Sequence, residues 1–209
     1  LALLPEGDVH PLFLQHPLLS LSLQFLFPGV QCGGNLCPRL ANPGASFRGL
    51  HDSLVNRPGA PTVITCPHEK LAVQIAHGYA KASGRMMAAC LHDTVGLLHG
   101  SLGIFSSFLD RCPVLVMGGA GPMDTARRRP WVDWTHTSLV QGNAVRDFTK
   151  WDDQPSSVPA AIESTIRGYQ IAMTEPQGPV YLCYDADIME APLGATKGEV
   201  PDLTRLRPP

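Results

Sequence analysis

Residues 67–84 read Pro67-His68-Glu69-Lys70-Leu71-Ala72-Val73-Gln74-Ile75-Ala76-His77-Gly78-Tyr79-Ala80-Lys81-Ala82-Ser83-Gly84. Leu71, Ala72, Ile75, Ala76, Tyr79 and Ala80 recur at helical spacing, and Ser83-Gly84 supplies the stop. The preceding Pro61-Thr62-Val63-Ile64-Thr65-Cys66 is strand-like. Glu69 therefore sits in the first turn of a helix, just past the carboxyl end of a strand. Ligands of open α/β sheets bind in that position. A carboxylate there is either a helix-dipole partner or a catalyst.

Outward from this unit the chain alternates strand-like and helix-like segments, the pattern of a parallel α/β sheet. Met86 to Leu91 reads as a buried strand, Leu97 to Leu109 as a helix and Pro113 to Met117 as a second buried strand, ended by Gly118, Gly119 and Gly121. Asp124 to Trp134, with Arg127-Arg128-Arg129, reads as a surface crossover, a solvated loop with Trp131 and Trp134 tucked against the core, the alternative being a lid or subunit contact. Pro159 to Met173 is a helix with proline in its first turn, and Pro179 to Tyr184 is another buried strand. Residues 1–40 form an anomalous, Leu-rich leader, expected to be poorly ordered; residues 41–192 form the domain; residues 193–209 are a linker or tail. The leader is broken by His16, Pro17 and Pro28 and lacks a basic cluster and a cleavage site, so it makes a poor signal peptide and a poor membrane span.

Composition narrows the function. A net charge of −2 with 16% charged residues offers no basic field for nucleic acid or an acidic membrane surface. Of the six cysteines, Cys66, Cys90, Cys112 and Cys183 lie singly in or beside apolar runs, as buried reduced thiols do, and a cytoplasmic location is expected. Cys32 and Cys37 have no matching Cys or His pair, and no metal ligand is assigned in this chain. Gly100-Ser101-Leu102-Gly103 is not a Gly-x-Ser-x-Gly elbow, and its serine falls inside a helix, which excludes that hydrolase class. His51, His77 and His136 lack ligand-like spacing and are taken as structural or exposed.

Five ordered motifs carry a resemblance: Asn42-Pro43-Gly44-Ala45-Ser46; His68-Glu69 with Ala76 to Ala80 and Ser83-Gly84; Leu91-His92-Asp93-Thr94-Val95-Gly96; Asp110-Arg111-Cys112-Pro113-Val114; and Pro176-Gln177-Gly178-Pro179-Val180-Tyr181-Leu182. Over about Asn42 to Pro192 the chain resembles the N-terminal, pyrimidine-binding domain of thiamine-diphosphate enzymes of the acetolactate synthase and benzoylformate decarboxylase group. The resemblance implies a three-layer α/β fold, a parallel sheet with helices on both faces. It implies C–C bond cleavage or ligation on a small 2-oxo acid.

It also implies roles. Glu69 bonds the aminopyrimidine N1′ and shares a proton with it, which favours the imino form of the ring. His92 handles protons of the substrate, though a structural histidine in a turn is the equal alternative; Asp93 replaces the family's small residue and pairs with it. Asn42, Pro43, Gly44, Gly96 and His99 line the cofactor; Ala45, Ser46 and His92 face the substrate. Gly96 lets backbone approach the ring. His99 stands where many relatives carry Asn, and Ala45 where the decarboxylase has a substrate-binding serine.

The relatives' diphosphate and magnesium ligands, a Gly-Asp-Gly segment followed by asparagines, do not occur; Gly7-Asp8-Val9 lacks the second glycine. Mg2+ is therefore expected on a partner domain or subunit in a homo- or hetero-oligomer, with the thiamine diphosphate site shared. FAD, present in acetolactate synthases, has no support in these residues. The rival expectation is a non-catalytic pyrimidine-type subunit, or a truncated fragment, acting only in pairing.

Overall fold

A computed structural model describes residues 39–41, 47–56 and 63–190. The elements in chain order are β1 (Arg39–Ala41), α1 (Arg48–Asn56), β2 (Val63–Thr65), α2 (Glu69–Ser83), β3 (Met87–Leu91), α3 (Asp93–Leu109), β4 (Val114–Ala120), α4 (Pro130–His136), β5 (Trp151–Asp153), α5 (Val158–Met173), β6 (Val180–Asp185) and α6 (Ala186–Glu190), with two short 3-10 turns before β5. All strand pairs are parallel, in the order β2-β1-β3-β4-β6-β5. The chain runs outward from β1 to β2 and returns to β3 on the other side of β1. The sheet's switch point thus lies beside the segment that delivers Glu69.

Period-two alternation on fully buried strands divides the core into two layers. Met86, Ala88, Cys90, Leu115, Met117, Val180, Leu182 and Tyr184 pack with Ala161, Ile162 and Ile166 of α5, Leu50 of α1 and Met189 of α6. Met87, Ala89, Leu91, Val114, Val116, Tyr181 and Cys183 pack on the opposite face with Ala72, Val73 and Ala76 of α2 and Leu97 and Ile104 of α3. This is the expected three-layer α/β fold.

Helix α2 has the sequence-predicted limits. His68 accepts the Lys70 N–H at its start, and Gly84, at φ 69°, turns the chain out at its end. Its buried face is Ala72, Val73, Ala76 and Ala80, while Leu71 and Ile75 point outward. The helix is apolar on two faces, and the second is open. Glycines Gly96, Gly100 and Gly103 form a stripe on α3: a Cβ at Gly100 would lie 2.7 Å from Leu91 Cδ1, and one at Gly103 2.9 Å from Val73 Cβ. Without side chains there, α2 packs close to α3.

Four expectations need correction. Helix α3 begins at Asp93 rather than Leu97, because the chain leaves β3 in a single turn with Asp93 at φ 43°, a left-handed conformation that Asp tolerates better than most residues. Strand β4 runs through Gly118 and Gly119 to Ala120. A Cβ at Gly118 would lie 2.0 Å from the Tyr181 hydroxyl, so the glycine is there for a crossing ring and not for a turn. The 124–134 stretch contains the start of α4, with Pro130 in its first turn. Trp131 is 78% exposed and not tucked against the core.

Two predictions arise from the packing. The Tyr184 hydroxyl and Thr165 Oγ1 meet at 2.7 Å in a fully buried site. Thr165→Val should cost about 1–3 kcal/mol in urea unfolding, the penalty of a buried hydroxyl left without that partner. Asp110 accepts a hydrogen bond from Lys81 Nζ at 2.6 Å and lies 3.0 Å from His77 Nε2, joining the ends of α2 and α3. The Lys81 hydrogen bond holds the Asp110 carboxyl below its ordinary range. A carboxyl lowered in the folded state contributes stability above its unfolded pKa and loses it as pH falls through the folded pKa. Asp110→Asn should therefore flatten the acid limb of the stability curve below about pH 4 and leave the stability loss with falling pH smaller than in the wild type.

Among the described residues no helix is long and apolar enough to cross a membrane. The four described cysteines are free and buried, as expected for reduced thiols.

Candidate cofactor site

Helix α2 starts beyond the carboxyl edge of the sheet, and its first residue, Glu69, is 7% exposed. The capping bond at this helix end comes from His68, so the Glu69 carboxyl is not needed as the cap. A dipole contribution of about 0.3–1 kcal/mol does not by itself account for a carboxyl withdrawn from water, which costs several kcal/mol for an ionised group. The carboxyl is enclosed by its neighbours.

Gly96 supplies its wall. A Cβ there would lie 3.1 Å from the Leu91 carbonyl carbon, 3.3 Å from Glu69 Cγ and 3.4 Å from Glu69 Oε1. The bare backbone of α3 thus faces the carboxyl across the gap a methyl would fill. His99, one turn further along α3, places Nδ1 3.3 Å from Glu69 Oε2 and stacks on His68 with centroids 5.0 Å apart. The sequence-predicted trio Glu69, Gly96 and His99 is brought together.

Ligand atoms of His68, Glu69 and His99 all lie within 4.8 Å of one another, a grouping able to hold a metal ion and one that the sequence reading did not assign. His68 Nδ1 already accepts the Lys70 N–H. Metal binding through that nitrogen would cost the helix its cap.

His92 stands between β3 and α3, its carbonyl accepting the Gly96 N–H at 2.6 Å. Its Nδ1 lies 3.9 Å from Asp93 Oδ2, the pairing expected from sequence. The structure adds a residue that sequence spacing missed: His136, at the end of α4, with its ring centroid 5.5 Å from that of His92. No sequence periodicity links positions 44 residues apart; only the crossover through β4 joins them.

Asn42, Pro43, Gly44, Ala45 and Ser46 lie outside the described residues, as does Gly7-Asp8-Val9. The arginine run is pinned: Arg127 pairs with Asp187, Arg128 donates to the Pro122 carbonyl, and Arg129 pairs with Asp133. Burial raises the Asp133 carboxyl, but the Arg129 N–H and guanidinium outweigh it and leave the group below its ordinary range. His77 is engaged with Asp110, and Ser101 is a helical residue bonded to the Leu97 carbonyl.

Ligands of open parallel α/β sheets bind beyond the carboxyl ends of the strands, which is where the Glu69 carboxyl meets the bare Gly96 backbone. Residues 40–144 match the family described as thiamine pyrophosphate enzyme, N-terminal TPP binding domain, and the chain belongs to it. Benzoylformate decarboxylase of Pseudomonas aeruginosa is 29% identical over 132 residues, covering 61% of this chain and 24% of that protein. The acetolactate synthase large subunit of Lactococcus lactis is 26% identical over 147 residues, covering 70% of this chain and 24% of that protein.

Solved structures share the fold. Benzoylformate decarboxylase from Polynucleobacter necessarius superposes with a TM-score of 0.67 at 20% identity, over 78% of this chain and 30% of that one. The thiamine diphosphate-dependent 4-hydroxybenzoylformate decarboxylase of Rhodococcus jostii gives 0.67 at 18% identity, over 82% and 31%. The chain spans about a quarter of the length of the curated relatives it matches.

Proposed function

We propose that this chain is the aminopyrimidine-binding half of a thiamine-diphosphate-dependent enzyme that cleaves or forms a C–C bond next to the carbonyl of a 2-oxo acid. The observation that carries the reading is the buried Glu69 carboxyl facing the bare Gly96 backbone. The residues fit the group: a flat aminopyrimidine ring that takes a proton at N1′ needs a carboxyl at that edge and no side chain against its face. When bound, thiamine diphosphate supplies an electron sink for the carbanion formed beside a former carbonyl.

The rest falls to the chain's own residues. Glu69 holds a proton at the ring nitrogen, His99 orients Glu69 through Oε2, and His92 moves protons at the substrate oxygen. Diphosphate and Mg2+ are assigned to a partner domain. Leu98 is 58% exposed, Leu102 56% and Leu109 63%, along the side of α3 turned away from Gly96, Gly100 and Gly103, an apolar surface that a partner domain would cover. A pairing-only role would use the same face but leaves the Glu69 pocket without a purpose.

His99 is the reporter. Thiamine diphosphate added to the chain should shift the His99 ring resonances in the wild type and leave them in place in Glu69→Gln. An unshifted His99 in the folded wild-type chain would count against the reading.

A further inference from the structure

Two histidines flank the Glu69 carboxyl, one from each helix end. His68, just ahead of α2, places Nδ1 4.0 Å from Glu69 Oε2, and His99 of α3 places Nδ1 3.3 Å from the same oxygen. Among the described residues this is the one group of three such side chains whose ligand atoms all lie within 4.8 Å of one another.

Two imidazoles and one carboxylate are the donor set of a divalent first-row transition ion, and Zn2+ accepts it in tetrahedral form with water in the fourth position. Bonds of about 2.0–2.1 Å hold neighbouring donors of a tetrahedral ion about 3.3 Å apart. The Glu69–His99 edge already has that length, and the Glu69–His68 edge closes by movement of an exposed ring. The two imidazoles are 49% and 60% exposed, so an ion reaches their nitrogens from solvent. It also brings opposite charge to a carboxyl withdrawn from water. Mg2+, which takes oxygen ligands in an octahedron, is a poor match for this set.

The nitrogens can be released. His68 Nδ1 accepts the Lys70 N–H, so it carries a lone pair and no proton. The ion takes that lone pair, and water takes over at the exposed Lys70 N–H. Any proton between His99 Nδ1 and Glu69 Oε2 leaves for Nε2 of the ring or for solvent as the ion enters.

We propose that His68, Glu69 and His99 form a site for a divalent transition ion, Zn2+ foremost, and that a bound ion closes the pocket to the aminopyrimidine. The metal site rests on the geometry of the three side chains. The blockade rests on the thiamine-diphosphate reading, because the ion then holds the carboxyl that the ring nitrogen needs. Exclusion is reciprocal: the factor by which the ion weakens the cofactor is the factor by which the cofactor weakens the ion.

The test is a titration of the full chain with Zn2+, in a buffer free of chelators, followed on the histidine ring resonances. The His68 and His99 signals should shift together and saturate at micromolar Zn2+, while His51 and His77 stay in place and Mg2+ shifts none of them. His99→Asn should weaken the His68 response by more than about tenfold, since losing even an outer partner of a metal ligand costs about 10–100-fold. Zn2+ that leaves both rings unshifted, or an undiminished His68 response in a folded His99→Asn variant, would overturn the metal site. If that variant unfolds, the wild-type ring shifts decide alone.

Thiamine, which has no diphosphate to chelate the ion, then tests the blockade. With Zn2+ at about ten times its dissociation constant, the apparent affinity for thiamine should fall about tenfold. Undiminished thiamine binding at saturating Zn2+ would overturn the blockade. Thiamine that fails to bind even without Zn2+, beside intact ring shifts, would remove the cofactor reading and the blockade with it, and leave the metal site standing.

Discussion

Glu69→Gln, placed in an assembled holoenzyme that contains this segment, is expected to lower kcat by ~10²–10⁴-fold, the range for loss of a positioned proton-transfer group. The amide keeps the size and the acceptor oxygen of the acid but cannot hold or release a proton at the ring nitrogen. Because His68 caps α2, the loss of the carboxylate should leave the fold intact. Steady-state kinetics with thermal unfolding as the control separates the two roles of a first-turn carboxylate. A drop in stability with near-normal turnover would return Glu69 to a structural role.

The second large effect is on the fold. Gly118→Ala sets a methyl 2.0 Å from the Tyr181 hydroxyl, on a ring that is fully buried and bonded to Gln141 Oε1 at 3.0 Å. Gln141 Nε2 in turn donates to the Gly119 carbonyl at 2.8 Å. The ring cannot move without breaking this chain, so the methyl should cost on the order of 3 kcal/mol. For a domain of this size that lowers Tm by about 10 °C. Tyr181→Phe should weaken the network as well but remove part of the clash, so the double variant should recover some of the loss. Thermal unfolding of the two single variants and the double variant checks both statements. An unchanged Tm in Gly118→Ala would mean that β4 has room that the packing does not show.

The elements legible in the sequence are those whose signals are local. Helix α2 announces itself through its apolar spacing and Ser83-Gly84 stop, and β3, β4 and β6 through continuous apolar runs buried on both faces. Glu69, Gly96 and His99 were legible through motif order, and the pocket joins them. Strands β1 and β5, three residues each, have no alternation to read; neighbouring parallel strands make them strands. The glycines of β4 read as a turn because sequence does not show the Tyr181 ring that crosses them. His136 was passed over for the same reason: its partner is set by the crossover from β4 to α4.

The outward face of Leu71 and Ile75 carries a related lesson. Helical spacing detects an apolar stripe but not what covers it, and here the inner stripe is made of small residues while the larger ones face out. Small residues inside bring α2 close to α3 and so seat Glu69 against Gly96.

The most direct test of the central claim is calorimetric titration of this chain with thiamine and, separately, with thiamine diphosphate plus Mg2+, each repeated on Glu69→Gln. If the chain holds the aminopyrimidine half of the site alone, the two ligands should bind weakly and within about threefold of each other, and both should lose about tenfold in the Gln variant. Tight binding that needs the diphosphate and Mg2+ and is indifferent to Glu69→Gln would contradict the account.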